Sequence, residues 1–169
     1  MATVVSGREL RDVMSDFATG VTVVTSRTPA GKPFGFTANA VTSLSLDPPL
    51  VLVCVARDRY AHAVMAAAEA FVINVLSDRQ EAVARRFARP GEDRFRDLIW
   101  SGGESGLPWL IDAIGVIECE RQRVHDGGDH SIFIGLARSA RRYSGRPLLF
   151  FHGEMFGLGA DEGPLMERN

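Results

Sequence analysis

Polar and apolar residues alternate over short stretches of this chain, as they do in β-strands that bury one face. The clearest alternation covers residues 41–46, in which the serines are expected on one side of a strand and the leucines on the other. Pro48 and Pro49 end this strand, because proline lacks a backbone N–H and biases the preceding residue toward extended backbone. The apolar run 50–55 then predicts a strand buried on both faces. Residues 41–55 are therefore predicted to form a β-hairpin with one hydroxyl-bearing strand and one core strand.

The same patterns predict further strands and three helices. Strands are expected at residues 20–26, 34–38, 71–76, 113–125, 131–143 and 147–151. Helical spacing of apolar residues predicts helices that begin near Ser6, Tyr60 and Asp78. The first start carries a Ser6–Glu9 capping box, and Asp78 with Glu81 is expected to cap the third helix. Strands thus outnumber helices along the chain.

Many short strands joined by turns, with two or three helices between them, predict a mainly β (α+β) protein. We expect an antiparallel barrel with helices on its outside, and a doubly wound parallel sheet is the less favoured alternative. Residues 89–110 have no period and contain several glycines and prolines, so they predict a long irregular connection of the kind that often carries function. Charges between Glu118 and Arg123 favour a solvated strand face. No G-x-G-x-x-G follows a strand, so a nicotinamide nucleotide would not be held as in a Rossmann fold.

Composition narrows the class of protein. A length of 169 residues favours a single domain, 1–169, that can bury a sizeable core. A hydrophobic content of 46% and a net charge of −2 indicate an ordinary soluble protein and exclude a nucleic-acid-binding footprint. Cys54 and Cys119 both lie in apolar runs, which favours reduced thiols and a cytoplasmic location. No signal sequence or long apolar run indicates secretion or a membrane span.

The sequence HDGGDH, residues 125–130, places two histidines and two aspartates at a predicted hairpin tip. One interpretation is a ligand site, since the two glycines let an imidazole approach a bound molecule closely. Another is a plain polar turn, which the residues alone favour. A third is a metal site made of His125, Asp129 and His130, which no paired CxxC or HExxH sequence supports.

Other polar residues also have two interpretations. Ser43 and Ser45 could donate hydrogen bonds to a ligand or form the solvent face of a strand. Arg57 and Arg59 follow the 50–55 strand and could hold a phosphate group between two guanidinium groups, or form a solvated charge run. Three further arginines near the end of the third helix are more typical of surface charge that is favourable at a helix C-terminus; they are Arg85, Arg86 and Arg89. No Ser-His-Asp or Cys-His signature is present, so an enzyme of this kind would rely on a cofactor.

An ordered set of motifs resembles the short-chain flavin reductases of two-component flavin-dependent monooxygenases. The motifs are FATGVTVVTS, GFTANAVTSLSLDPPLVLVCV, FVINVL, DRF, GDHSIFIG and GRPLLFFHG, and the likeness runs from about Phe17 to Leu158. Each fragment is weak, but the ordered set is specific. The resemblance implies the FMN-binding split-barrel fold and hydride transfer from NADH or NADPH to FMN or FAD.

The same resemblance implies a set of site residues. It makes His130 the residue beside the nicotinamide and Phe87 an aromatic beside the cofactor. The residues that it implies for contacts with the flavin are Thr37, Ala38, Asn39, Ser43, Leu44, Ser45, Cys54, Val55, Ala56, Arg57 and Arg59. No metal ligand is implied.

Two segments depart from the family pattern. Where the family commonly carries asparagine, serine and threonine for the flavin phosphate, this chain has Ala56, Arg59 and Ala61, and the pair Arg57 and Arg59 is expected to substitute. Near the end, His152 and its neighbours replace the basic and aromatic residues of the family, so the rim of the pocket is expected to differ.

The resulting hypothesis is an NAD(P)H:flavin oxidoreductase that supplies reduced flavin to a separate oxygenase. A homodimer is expected by resemblance, and no nucleic-acid or membrane partner is expected. The alternative is a non-catalytic flavin-binding or partner-binding split-barrel module, which the altered phosphate residues would permit.

Overall fold

The computed structural model describes residues 4–91 and 93–158. The helices in this part of the chain are α1 (Gly7–Ser15), α2 (Tyr60–Ala67) and α3 (Glu81–Ala88), and a 3₁₀ turn spans Asp78–Gln80. The strands are β1 (Thr19–Gly20), β2 (Thr22–Arg27), β3 (Pro33–Ala38), β4 (Val41–Leu46), β5 (Pro49–Ala56), β6 (Ala70–Val75), β7 (Trp100–Ser101), β8 (Trp109–Leu110), β9 (Gly115–Gly127), β10 (His130–Arg142), β11 (Leu148–Phe151) and β12 (Glu154–Gly157).

Seven strands form the main sheet in the order β3-β2-β6-β9-β10-β5-β4, and every neighbouring pair is antiparallel. The sheet curls around one apolar core, to which β2, β3, β5, β6, β9 and β10 all contribute buried side chains and which α2 covers. Phe71, Met65 and Phe133 are the largest side chains at its centre, each 1% exposed or less. A smaller sheet, β1-β11-β12, lies beside a second core cluster that includes α3. The predicted antiparallel barrel with peripheral helices is confirmed.

Strand β5 is buried on one face only, so the prediction of a strand buried on both faces is wrong. Val51, Val53 and Val55 point into the core, whereas the residues between them are half-buried. A continuous apolar run does not distinguish a strand with two buried faces from one whose second apolar face remains open.

Strand β4 also differs from its prediction. A bulge between Ser43 and Ser45 interrupts its pairing with β5, so that Ser43 pairs with Val51 and Ser45 with Leu50. An extra residue in one strand breaks the two-residue alternation of sides. Leu44 is 46% and Leu46 90% exposed, so neither leucine is buried in a core as the half-buried strand required.

Helix α1 begins at the predicted capping box. The backbone N–H of Ser6 donates to Glu9 Oε2 over 2.7 Å, and the Glu9 N–H donates to Ser6 Oγ over 3.2 Å. The helix ends before Gly20, at Ser15. The apolar residues of this segment remain more than half exposed: Leu10, Val13, Met14 and Phe17. The predicted amphipathic helix is therefore present, and its apolar face lies outside the core clusters formed by residues 4–91 and 93–158.

Helix α3 starts differently from its prediction. Asp78 and Glu81 do not form the cap; the Ser77 N–H donates to Gln80 Oε1 over 3.0 Å ahead of the 3₁₀ turn. Serine at the N-cap with glutamine three residues later satisfies the same free backbone donors. Ser77 with Gln80 and Asp78 with Glu81 have the same three-residue spacing, so the local pattern could not decide which pair forms the cap.

Glu118 corrects the prediction of a solvated charged strand face. Glu118 is only 5% exposed. Its Oε1 accepts hydrogen bonds from Trp109 Nε1 at 2.6 Å, Ser105 Oγ at 3.0 Å and the Glu104 N–H at 3.0 Å. These bonds tie the predicted irregular connection to β9. Cys119 beside it is also buried, whereas residues 120 and 121 are half-buried and residues 122–127 are exposed, as predicted for a solvated face.

Among the described residues, none of the helices combines the length and the apolar character needed to cross a membrane.

Candidate functional site

A cleft of about 730 Å³ lies between the α1–β1 segment and the β4–β5 pair. Met14 and Phe17 line it from the first side, Asn39, Ser43 and Cys54 from the second. Aliphatic residues of β5, β6 and β9 form another part of its wall. An apolar cleft with a few polar groups is the usual form of a site for a planar organic cofactor.

The corner between β3 and β4 positions the polar side of this cleft. The Cys54 N–H donates to the Ala40 carbonyl over 3.0 Å, and the Val41 N–H donates to the Asn39 carbonyl over 2.9 Å. Thr22 Oγ1 donates to the Ala38 carbonyl over 2.7 Å. The chain therefore passes from β3 to β4 through a tight turn bound to β5, which leaves Asn39 exposed beside the cleft.

Only part of the predicted flavin-contacting set lines the cleft. Asn39, Ser43 and Cys54 do so. The predicted residues outside the lining are Thr37, Ala38, Leu44, Ser45, Val55, Ala56, Arg57, Arg59 and Phe87. Thr37 Oγ1 donates to the Ala84 carbonyl over 2.6 Å, which anchors α3 on β3 instead.

Cys54 is half-buried in the cleft wall, and burial raises the pKa of its thiol above the usual range. A raised pKa leaves less thiolate at neutral pH, so this cysteine behaves as a small apolar side chain. The cleft wall at this point offers a contact surface and no nucleophile.

The two arginines predicted to hold a phosphate are bound to different carboxylates. Arg57 Nη2 lies 3.0 Å from Asp126 Oδ2, and its Nε donates to Ser131 Oγ over 3.3 Å. Arg59 Nε lies 3.4 Å from Asp58 Oδ1 on the surface. The pKa of Asp126 is lowered by the hydrogen bond from the Gly128 N–H and then by Arg57. Arg57 therefore ties the end of β5 to the β9–β10 hairpin, and the predicted pair of phosphate ligands is not assembled in this structure.

His130 lies opposite Ala56, at the end of β10 where the hairpin turns. Its Nδ1 is 2.7 Å from Asp129 Oδ1, and its side chain is 43% exposed. The hydrogen bond from the imidazole lowers the pKa of Asp129. The acidic partner thus fixes the orientation of a ring that remains accessible from outside. Within residues 4–91 and 93–158 there is no group of three side chains suited to holding a metal ion, so the metal interpretation of the hairpin tip has no support.

Sequence reasoning missed His62 on α2. Its Nε2 is 2.9 Å from Ser131 Oγ, and its ring stands edge-on to Phe133 with centroids 5.6 Å apart. Ser131 thereby contacts both His62 and Arg57 next to His130. The position of His62 within an alanine-rich helix carried no local signal, because α2 and β10 are distant in sequence.

Phe87 is 1% exposed and packs into the second core cluster. Its ring meets Phe95 edge-on at 5.1 Å, and a Cβ on Gly35 would lie 2.7 Å from Phe87 Cε1. The side chain offers almost no free surface to a ligand, and the contacts that the structure shows for it are with other residues of the chain.

Comparisons with known proteins agree with this geometry. Residues 14–159 match the family model described as flavin reductase like domain. The reductase subunit of stachydrine N-demethylase from Rhizobium meliloti (strain 1021) is 46% identical over 134 residues, which cover 79% of this chain and 58% of that protein. The NADH-dependent FAD reductase of Streptomyces globisporus is 44% identical over 163 residues, covering 92% of this chain and 88% of that one.

A solved structure extends the likeness to three dimensions. It is the Streptomyces globisporus C-1027 NADH:FAD oxidoreductase in complex with NAD and FAD fragments, with a TM-score of 0.87 at 40% identity, covering 96% of this chain and 100% of that one. The chain spans about half the length of the Rhizobium relatives it matches, 43% of one and 58% of the other. The family match covers most of the chain and confirms the split-barrel fold, and on this basis the chain belongs to the family of proteins with a flavin reductase like domain.

Proposed function

We propose that this chain is an NAD(P)H:flavin oxidoreductase that transfers hydride from NADH or NADPH to FMN or FAD. The observation that carries the proposal is the cleft of about 730 Å³ beside the β3–β4 corner, formed within the segment that matches the flavin reductase family. NADH-dependent FAD reduction by the Streptomyces relative supports it.

The residues present fit the ring of a flavin. Met14, Phe17 and Leu52 provide apolar surface, while Asn39 and Ser43 provide polar groups at the same cleft. A flat heteroaromatic ring with polar edges needs this combination of contacts. We propose that the remaining predicted residues support the site indirectly, through the strands, the helix and the β5–α2 turn to which they belong. They are Thr37, Ala38, Leu44, Ser45, Val55, Ala56, Arg57, Arg59 and Phe87.

A bound flavin supplies the hydride acceptor, and this chemistry belongs to the cofactor. The chain's own residues bind the two rings in contact and exclude water from between them, which provides proximity without a catalytic acid or base. The apolar walls of the cleft help to exclude water, because they offer it few hydrogen-bond partners.

His130 is proposed to contact the nicotinamide. The Asp129 carboxylate accepts from Nδ1–H, so in the neutral ring Nε2 is the acceptor and is available to a carboxamide N–H. Asp129 therefore acts as a positioning residue that sets the tautomer of His130.

We further propose that the reduced flavin is passed to a separate flavin-dependent oxygenase. A relative from Acinetobacter baylyi supports this, because its name makes it the reductase component of a flavin-dependent trigonelline monooxygenase. The free thiols Cys54 and Cys119 support a cytoplasmic location. The exposed apolar residues of α1 and β4 support a homodimer. A single domain over 1–169, with no nucleic-acid or membrane partner, completes the proposal.

Mixing the purified protein with either nicotinamide nucleotide and either free flavin, without oxygen, should bleach the absorbance of oxidised flavin. The absence of turnover in all four combinations would contradict the proposal. Tight flavin retention without turnover would instead favour the non-catalytic flavin-binding module.

A further inference from the structure

His130 lies at a hairpin tip that leaves the core of the barrel. Residues 122–129, which lead up to it, are all exposed. Inside the turn, the Gly128 N–H donates to Asp126 Oδ1 over 2.8 Å, but a bond within the turn does not fix the tip relative to the barrel. The orientation of His130 therefore depends on contacts with residues outside the β9–β10 hairpin.

Arg57, just after β5, makes three contacts with this hairpin. Its backbone N–H donates to the Asp129 carbonyl over 3.0 Å, directly before His130. Its Nη2 lies 3.0 Å from Asp126 Oδ2, and its Nε donates to Ser131 Oγ over 3.3 Å. The Asp126 side chain is 75% exposed, and an exposed ion pair contributes little. Ser131 is only 4% exposed, so it is the partner through which the interior of the protein can hold Arg57.

The hydroxyl group of Ser131 joins Arg57 to His62. A guanidinium N–H can only donate, so Ser131 Oγ is the acceptor of the bond from Arg57, and its own O–H remains to be used. Among the described residues, the second hydrogen-bond partner of this oxygen is His62 Nε2, at 2.9 Å. Buried hydroxyl groups are hydrogen-bonded as a rule. Ser131 therefore donates to Nε2 of a neutral His62, which carries its proton on Nδ1.

His62 has a fixed position because α2 packs on the core of the barrel. Ala61 and Val64, on either side of it in the helix, are buried in the main core cluster. The His62 ring stands edge-on to Phe133, with centroids 5.6 Å apart, and Phe133 is fully buried. The Nε2 of His62 is thus a rigid acceptor, to which the exposed hairpin tip is connected through Ser131.

We propose that His62 is a positioning residue for the nicotinamide nucleotide. Through Ser131 and Arg57 it holds the hairpin tip in the orientation in which His130 meets the nicotinamide. The inference rests on the proposed function, which gives His130 this contact. Among the described residues, the lining of the flavin cleft includes neither His62 nor Ser131. Loss of the His62 acceptor should therefore weaken binding of the nicotinamide nucleotide and leave flavin binding unchanged.

Two substitutions at His62 separate hydrogen bonding from packing. His62→Phe keeps an aromatic ring against Phe133 but removes the acceptor. His62→Gln removes the ring but offers an amide oxygen to the Ser131 hydroxyl. Circular dichroism verifies that both variants fold. A role in packing alone predicts that the glutamine variant is the more damaged, whereas the proposed role predicts the reverse.

The first measurement is hydrogen exchange, without flavin or nicotinamide nucleotide. The Arg57 amide reports on the hairpin tip directly, because it donates to the Asp129 carbonyl. Its exchange should be about tenfold faster in His62→Phe, the equivalent of one hydrogen bond, and close to the wild-type rate in His62→Gln. Equal exchange in the wild type and in His62→Phe overturns the proposal.

The second measurement is calorimetry of NAD⁺ or NADP⁺, whichever the wild type binds more tightly, with saturating oxidised flavin. Both molecules are oxidised, so no hydride is transferred during the titration. His62→Phe should bind the nucleotide about tenfold more weakly and His62→Gln as well as the wild type, with flavin affinity unchanged in both. Unchanged nucleotide affinity in His62→Phe, an equal fall in flavin affinity, or no nucleotide binding by the wild type overturns the proposal. A protein that binds the nucleotide but does not reduce flavin would contradict the proposed function alone.

A double variant tests the route through Ser131. If His62 acts through this hydroxyl, His62→Phe/Ser131→Ala should bind the nucleotide no more weakly than the weaker of the two single variants, because both changes break the same connection. Additive losses would show that His62 acts by another route and would overturn the proposal.

Discussion

At the scale of single residues, the pair formed by His130 and Asp129 gives the sharpest test of the proposed reaction. Replacing His130 with Ala removes the Nε2 acceptor while leaving the cleft walls in place. We expect KM for NADH or NADPH to rise about tenfold, the equivalent of one hydrogen bond, with flavin affinity nearly unchanged. Steady-state kinetics and a fluorescence titration of flavin measure the two quantities.

His125→Ala is the matched control for this experiment, because His125 belongs to the same hairpin and is exposed. Equal losses in the two variants would show that the effect comes from the hairpin rather than from His130. A fall in flavin affinity with an unchanged KM for the nicotinamide nucleotide would show that His130 contacts the flavin, which contradicts the proposal.

Cys54 provides a second test at this scale, because it lies in the wall of the cleft and burial raises the pKa of its thiol. A raised pKa reduces the thiolate at a given pH, so alkylation should be slow at pH 7 and become faster as the pH rises beyond the range of an ordinary thiol. Saturating flavin should slow it further. Mass spectrometry after timed alkylation measures the modified fraction.

Cys119 is the internal control. It is 2% exposed, and burial together with the nearby Glu118 raises its pKa to about 12. It should remain unmodified with or without flavin. Alkylation of Cys54 at the same rate in both conditions would contradict its position in the flavin cleft.

At the scale of elements, the long connection before β9 depends on one buried carboxylate. Glu118 accepts hydrogen bonds from Trp109 Nε1, Ser105 Oγ and the Glu104 N–H. The variant Glu118→Ala leaves these donors without an acceptor, and we expect unfolding free energy to fall by about 3 kcal/mol. Urea denaturation followed by tryptophan fluorescence measures the change.

Glu120→Ala is the control for Glu118→Ala. Glu120 forms a surface ion pair with Arg138 on the adjacent strand, and such pairs contribute at most about 1 kcal/mol. An equal fall in unfolding free energy in both variants would contradict the proposal that the buried hydrogen bonds of Glu118 hold the connection in place.

At the scale of the whole molecule, β4 and α1 each expose apolar side chains among the described residues. Leu46 on β4 is 90% exposed and Val13 on α1 is 68% exposed. Burial of such side chains between two chains is favourable by about 25 cal/mol per Å² of apolar area. We expect a homodimer by light scattering and a shift toward monomer in Leu46→Glu.

Ile99→Glu is a matched control, since Ile99 is 76% exposed in the irregular connection rather than on either surface. It should leave the molar mass unchanged. A wild-type monomer at micromolar to millimolar concentration would refute the dimer directly.

Local pattern determined most of the elements. The capping box of Ser6 and Glu9, the prolines after β4 and the glycines of the β9–β10 hairpin each act through neighbouring backbone groups, so their effect is visible in sequence. Ordered motifs were enough to identify the family.

Tertiary structure alone decided which groups meet. Arg57 binds Asp126 and Ser131 instead of standing beside Arg59, and Glu118 is buried by a loop that lies before it in the chain. The half-open face of β5 and the contacts of α3 with Phe95 and Arg96 depend likewise on packing between separate segments. A sequence period reports the side on which a residue lies, but not what covers that side, because the cover comes from residues far along the chain.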